Sequence, residues 1–368
     1  MNDRVYSYFR TTPDSPEWLD WKWQYHNRIT DADTLGQVIN LSDREKREVT
    51  LCLSSFGMAI SPYFASLMDP DDPKCPIRMQ AVPSIEETRV LPWESKDPLG
   101  EQNDTPVANI VHRYPDRVLF LVSRRCAMYC RHCIRKAHIN DGEHFINEAE
   151  EEKAIEYIAK TPRIRDVLVS GGDPLIMDDA RIEDIITRLR AIEHVEIIRI
   201  GTRVPSVLPM RVTPALLSIL KKNHPIWMNI QFNHPRELTP AALKACMDIA
   251  DAGVPLGNQS VLLRNINDDP ETMKTLLLGL LKARVRPYYL YQCDLCEGAG
   301  HFRTEVQAGV EIIRRLTGNI TGLAIPKFVI DAPGGGGKIP INPEYVVSIN
   351  AEKVVMRNYE GDLYAYPS

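Results

Sequence analysis

The spacing of apolar and polar positions changes near residue 117. Beyond it, short β-branched and apolar runs recur at 117–122, 166–169, 195–200, 226–232, 256–262 and 286–292. Between and after them lie longer stretches with the apolar spacing of amphipathic helices, near 148–160, 180–192, 214–222, 240–252, 270–284 and 306–316. These periodicities predict strands and helices respectively. Several helical stretches open on Thr-Pro or Asp-Pro, as at Thr213-Pro214, Thr239-Pro240 and Asp269-Pro270. A capping side chain is there followed by a residue whose φ is already helical. Six strand–helix units in series predict a parallel sheet with right-handed crossovers. Six is too few for an eight-fold barrel. The expected fold is therefore α/β, a partial open (β/α)6 TIM-like barrel with its chemistry at the C-terminal ends of the strands.

Residues 1 to about 115 are expected to be helical and irregular, with Trp18, Trp21 and Trp23 near the start. The apolar residues Val49, Leu51, Leu53, Phe56, Met58 and Ile60 suit one helix across 45–67, ending near Pro70. Pro and Asp then crowd 70–106, which predicts a covering loop. This divides the chain into an N-terminal helical cover (1–115), the barrel (116–318) and a C-terminal segment (319–368), with no repeat or low-complexity run.

Composition narrows the classes of function. A chain of 368 residues, 44% of them apolar, can build a substantial core. A net charge of −5 argues against a nucleic-acid footprint, which needs a basic face. Neither a secretory h-region nor an apolar run of bilayer length is present, so no membrane association is expected. Five of the eight cysteines, Cys52, Cys75, Cys246, Cys293 and Cys296, are scattered, which suits a reducing cytoplasm.

The other three, Cys126, Cys130 and Cys133, stand together directly after the first predicted strand. Three thiolates there can each ligate one iron of a four-iron cluster and leave the fourth iron open, whereas a full protein set is usually four. A zinc site lacking one ligand and a group of unrelated thiols are the alternatives. Ser170-Gly171-Gly172-Asp173 follows the second strand, where two glycines permit close backbone approach to a ligand or simply make a βα turn. Ala332-Pro333-Gly334-Gly335-Gly336-Gly337-Lys338 has the wrong residues for a phosphate loop, with Ala332 and Ile339 where Gly and Ser/Thr are needed. Lys338 is then either a solvated surface cation or an amine that forms a Schiff base, on a loop flexible enough to let it swing.

The Cys-x-x-x-Cys-x-x-Cys spacing resembles the signature of the radical S-adenosylmethionine (SAM) enzymes. Cys130-Arg131-His132-Cys133 and Asp331-Ala332-Pro333-Gly334-Gly335-Gly336-Gly337-Lys338 resemble lysine 2,3-aminomutases, and the likeness runs from about residue 18 to about residue 360. It implies a barrel of the radical SAM type. It implies a [4Fe-4S] cluster on Cys126, Cys130 and Cys133, and SAM beside Tyr129, His132, Ser170, Gly171, Gly172, Asp173, Arg203 and Gln259, with Asp173 where the family more often has Glu. Pyridoxal 5′-phosphate (PLP) is implied on Lys338, with Arg113 and Arg117 for its phosphate and Tyr114 nearby. For the substrate, the likeness assigns Arg135 to the carboxylate and Asp294 and Asp331 to a distal ammonium, which points to lysine. The expected activity is transfer of the 2-amino group of L-lysine to C3. Arginine as substrate, or a non-catalytic iron–sulfur electron carrier, are the rival readings. Expected partners are an amino acid, a low-potential electron donor such as flavodoxin or ferredoxin, and further copies of the chain as a dimer or tetramer.

Departures from the family pattern carry expectations too. The chain ends at Ser368 without the cysteine-bearing tail of some clostridial members, and Asp269 replaces another of their cysteines, so no structural zinc is expected. Gln231 stands where the family is expected to have a His near SAM. Cys293 and Cys296 are expected to be packing thiols.

Overall fold

In the computed structural model, residues 2–139 and 142–368 are described. The six expected strands appear as β2 (Arg117–Ser123), β3 (Asp166–Gly171), β4 (Ile197–Thr202), β5 (Ile226–Ile230), β6 (Leu256–Leu262) and β7 (Val285–Gln292). The connecting helices are α1 (Glu148–Ala159), α2 (Asp179–Arg190), α3 (Pro214–Lys222), α4 (Pro240–Asp251), α5 (Pro270–Lys282) and α6 (Val306–Leu316). Helix α1 opens with a capping box between Asn147 and Glu150, while α3, α4 and α5 open on capped prolines as the sequence suggests.

The sheet is larger than six strands. After α6 the chain enters a seventh parallel strand, β8 (Lys327–Ala332), beside β7. Antiparallel strands then finish both edges: β1 (Ile110–Tyr114) on β2 and β9 (Gly337–Pro340) on β8. The order β1 to β9 is sequential, a barrel wall left open between its edges. A separate antiparallel sheet follows, β10 (Val346–Ile349), β11 (Lys353–Arg357) and β12 (Leu363–Pro367).

Strand alternation sorts this wall into two surfaces. Phe120, Val122, Val167, Val169, Ile198, Ile200 and Phe328 are buried in the core that the helices cover. Intervening residues such as Leu119, Ser170, Asn229, Gln259, Tyr291 and Asp331 line a cavity of about 700 Å³. Each fully buried Val, Ile or Phe is worth about 1.5–3 kcal/mol relative to exposure. The outer face thus supplies stability and leaves the inner face available for polar groups.

The cover contains short helices, including Asp43–Leu53 and Pro62–Ser66. The single helix expected across 45–67 is broken. Asp43–Leu53 starts from a Ser42–Glu45 capping box, the chain turns through Ser54-Ser55-Phe56, and Ser61 caps a second helix with Pro62 at its first position. Proline at N1 suits a helix start and opposes a helix interior. Trp18 is buried against Tyr6 and Trp23, with ring centroids 4.6 and 6.4 Å apart. Among the described residues no helix is long and apolar enough to cross a membrane.

Candidate active site

The cysteine loop leaves β2 where the β2–β3 register shifts between Leu121 and Ser123. The Gly171-Gly172 turn holds it from the barrel side. Gly172 N donates to Ser123 O at 2.5 Å and Asp173 N to Arg125 O at 2.7 Å. A Cβ on Gly171 would lie 2.3 Å from Ser123 O, and one on Gly172 would lie 2.3 Å from Arg125 O. Gly171 also has φ +128°, outside the ordinary range of other residues. The glycines therefore serve the approach of two loops as well as any ligand.

The cover holds the other side of the loop. Tyr129 N donates to Ala59 O, Arg131 N to Gln80 O, both at 2.9 Å, and Arg28 Nη1 to Cys126 O at 2.6 Å. The Arg131 guanidinium straddles Glu87 at 2.9 and 2.6 Å, and Lys136 Nζ meets the same carboxylate at 2.9 Å. All three side chains are buried. Removing one member of such a set costs about 3–5 kcal/mol because it strands a desolvated charge. The loop's position is thus tied to Glu87, more than 30 residues upstream and invisible to local pattern.

Cys126, Cys130 and Cys133 line one end of the cavity. Burial pushes the Cys126 thiol well above its usual range, with Asp173 and the other two thiols adding to it, and burial also raises Cys133. Metal binding removes such protons. Among the described residues no three His, Cys, Asp or Glu side chains converge on one ion. Arg203 Nη1 donates to Cys130 Sγ at 2.8 Å. Arg203 Nε and His132 Nδ1 are buried donors or acceptors that no protein atom satisfies, so the wall fits a polar ligand there. Burial holds His132 well below its ordinary pKa, and its Nε2 lies 3.1 Å from Gln231.

Tyr129 is not part of the cavity wall. Its ring is buried, and its hydroxyl bonds Glu143, which Arg28 also grips at 2.7 Å. The backbone bond from Tyr129 to Ala59 also ties it to the cover, so it anchors the loop. Asp173 does line the wall, yet its carboxylate is engaged by Thr202 Oγ1 at 2.7 Å, Arg203 N at 2.8 Å and Leu175 N at 3.0 Å. Ser170, Gly171, Gly172, Arg203 and Gln259 all line the cavity, Gln259 accepting from Tyr291 Oη at 2.6 Å.

The opposite end is cationic and aromatic. Lys338 does not ride on a loose glycine loop. It lies in β9, opposite Asp331 of β8, and Gly334-Gly335 form the hairpin turn between them with φ +69° and +94°. Lys338 Nζ lies 2.9 and 3.1 Å from the Asp331 oxygens and 5.2 Å from the Tyr291 ring centroid. Its backbone N donates to Tyr114 Oη at 3.0 Å. A Cβ on Gly337 would lie 3.0 Å from that hydroxyl, so glycine lets the hairpin close on Tyr114. Movement of Lys338 must come from its own side-chain torsions.

Arg117 stacks on Tyr114 at 3.8 Å and meets Asp116 at 2.8 Å, while Arg113 is held by Asp104 at 2.7 Å and Leu99 O at 2.5 Å. Glu101 takes Nε and Nη2 of Arg135 and leaves Nη1 for another partner. Asp294 sits beside Asp331, and its pKa is pushed up to about 7 by burial first and Asp331 second, against Lys338 and Arg135. Glu87, Glu101, Asp104, Tyr289 and Tyr291 were not singled out in the sequence. The Tyr288-Tyr289-Leu290-Tyr291 alternation could have marked the tyrosines, but nothing local marks the three acids. Cys293 and Cys296 are buried, Cys296 Sγ packing 3.4 Å from Cys133 O with its thiol raised by burial to about 12.

The family profile described as Lysine-2,3-aminomutase matches residues 313–368, and the Radical SAM superfamily profile matches residues 120–277. An L-lysine 2,3-aminomutase from Fusobacterium nucleatum is 53% identical over 95% of this chain and 82% of its own length. The chain belongs to the lysine 2,3-aminomutase family. The L-lysine 2,3-aminomutase of Clostridium subterminale is 50% identical, covering 100% of this chain and 88% of its own. A glutamate 2,3-aminomutase from Clostridioides difficile is 43% identical over 94% and 82%. As a radical SAM protein, this lysine 2,3-aminomutase family member is a [4Fe-4S] and SAM protein, in keeping with the thiol-bearing end of its cavity.

Proposed function

We propose that this chain is an isomerase that moves the 2-amino group of L-lysine to C3, giving β-lysine. The observation that carries this is the Asp294–Asp331 pair, set in the same cavity wall as Lys338 and the three cysteines. Buried carboxylates need a cationic partner, and a substrate side chain ending in an ammonium supplies one. When bound, the cluster with SAM would supply the organic radical that removes a substrate hydrogen, and PLP the carbonyl group on which the substrate's own 2-amino nitrogen could migrate.

The residues then divide the work. Cys126, Cys130 and Cys133 would hold the cluster as thiolates, with His132, Ser170, Gly171, Gly172, Asp173, Arg203 and Gln259 walling the SAM end. Lys338 would carry PLP through Nζ, with Arg113 and Arg117 facing its phosphate. Lys338 Nζ, the nucleophile this role needs, is oriented by the Asp331 carboxylate at 2.9 Å. With Lys338 engaged, Asp331 and Asp294 would receive the substrate ammonium. Arg135 would orient the substrate carboxylate through Nη1, its fork held by Glu101. Tyr289 and Tyr291 line the wall between and limit water.

In this arrangement the cover (1–115) clamps the cluster loop, the barrel (116–318) carries most of the site, and the segment 319–368 brings Lys338. A low-potential protein donor of flavodoxin or ferredoxin type would supply the electron, and eight free cysteines suit the reducing cytoplasm. The exposed Val346, Ile349, Leu363, Tyr364 and Tyr366 of the C-terminal sheet support assembly with further copies of the chain. Sedimentation should find a dimer or tetramer; a monomer at micromolar concentration would refute that part.

The activity is tested anaerobically, with the protein reconstituted with iron and sulfide and given SAM, PLP and a strong reductant. Lysine, arginine and glutamate are supplied separately. β-Lysine from lysine, with little product from the others, is the expected result. β-Arginine as the main product would overturn the substrate, and no product from a cluster-loaded protein would overturn the activity.

A further inference from the structure

Arg203 is 93% buried by its 7% exposure, and its surroundings go beyond what a SAM contact requires. Nη1 donates to Cys130 Sγ at 2.8 Å, and Nη2 to Gln80 Oε1 at 2.5 Å and Glu237 Oε2 at 3.2 Å. Glu237 is itself fully buried. It accepts from Gln80 Nε2, Asn233 N, His234 N, Ser206 Oγ and Arg203. Five donors thus converge on this one carboxylate, which forms an ion pair with Arg203. The pair is therefore an oriented dipole, its positive end on a cysteine sulfur and its negative end anchored behind by backbone and side-chain donors. The guanidinium cannot rotate away without stranding Glu237.

We propose that Arg203, positioned by Glu237, tunes the reduction potential of the cluster by donating to the Cys130 sulfur. The inference rests on the cluster assignment above. Hydrogen bonds to cluster sulfurs and nearby charge set such potentials. Reduction adds one electron from the donor to the cluster and so adds negative charge. A fixed cation at 2.8 Å stabilises the reduced form more than the oxidised form and raises the potential. Gln80 and Asn233, which come from the cover and from the segment after β5, couple this setting to how well the cover is seated.

The test is a mediated redox titration of the reconstituted full chain, followed by the electron paramagnetic resonance of the reduced cluster. Two variants are compared with wild type: Arg203→Lys, which keeps the charge and loses the fork, and the double change Arg203→Gln with Glu237→Gln. The second removes both charges, keeps the hydrogen-bonding atoms and leaves no stranded ion. At the potential where wild type is half reduced, the double variant is expected to show about a tenfold lower reduced-to-oxidised ratio, equivalent to about 59 mV for one electron. Arg203→Lys should fall between. A purely structural role would change iron uptake or unfolding and leave the potential where it was. Unchanged or raised potentials in cluster-loaded variants would overturn the proposal, as would loss of iron uptake in both, which would make Arg203 an assembly residue. A wild type that takes up no cluster would instead overturn the assignment on which the proposal rests.

Discussion

Lys338→Ala is expected to abolish covalent capture of PLP and to lower turnover by at least about a hundredfold, the scale on which a positioned proton-transferring or nucleophilic side chain contributes. The assignment stands on position. Lys338 is held in β9 against Tyr114, and its amine reaches into the cavity shared with the cysteines. Asp331 at 2.9 Å keeps Nζ oriented. The measurement is borohydride reduction of protein incubated with PLP, followed by peptide mass mapping. Wild type should carry the label on the peptide containing Lys338, and the alanine variant should carry none there. Lys338→Arg retains the charge opposite Asp331 and should unfold like wild type, yet also remain unlabelled. A label found on another lysine in wild type, or undiminished turnover in the alanine variant, would sink the assignment.

Asp294→Asn should cut kcat/KM for lysine by roughly 30-fold or more, since truncating one partner of a buried charge pair costs about 2–5 kcal/mol. It should also change the pH dependence. Asp294 is held at a pKa of about 7, well above the ordinary aspartate range, chiefly by burial and then by Asp331. In the unliganded protein its raised pKa means that the unfolded chain gives up this proton first. Stability associated with Asp294 is therefore full below the ordinary range near 3.9 and declines as pH rises toward 7. Binding of a cationic substrate demands the ionised form, so kcat/KM for lysine should climb about tenfold per pH unit below 7 and level off above it. The asparagine variant should lose that limb. It should also be the more stable protein at pH 8 in the absence of substrate, because the strained ionisation is gone. A variant with an unaltered pH profile and unaltered kcat/KM would remove Asp294 from the substrate site.

Much of this architecture was legible in the chain. The six helices from α1 to α6 and the strands from β2 to β7 follow the apolar periodicity to within a few residues, because each buries one continuous face. Strand β8 escaped notice because Phe328-Val329-Ile330 is a short run between Pro326 and the glycines, too brief to show a period. The edge strands β1 and β9 were missed because polar and functional residues occupy half their positions. The broken helix after Leu53 shows the converse, since apolar spacing persisted across the turn at Ser54-Ser55-Phe56 and into the new helix that Ser61-Pro62 starts.

By itself, then, the sequence determined the order of the β/α units, the grouping of three cysteines after β2, and the presence of a lysine beyond a run of glycines. Those features are local, and local periodicity and spacing express them directly. Only the tertiary structure decided the partnerships: Glu87 with Arg131 and Lys136, Glu101 with Arg135, Arg203 with Cys130, and Lys338 with Asp331 beside Asp294. Most of these join residues that lie far apart in the chain, and all of them depend on distance and burial. Coulombic and hydrogen-bonding energies depend steeply on both, and neither quantity is written in the spacing of residues along the chain.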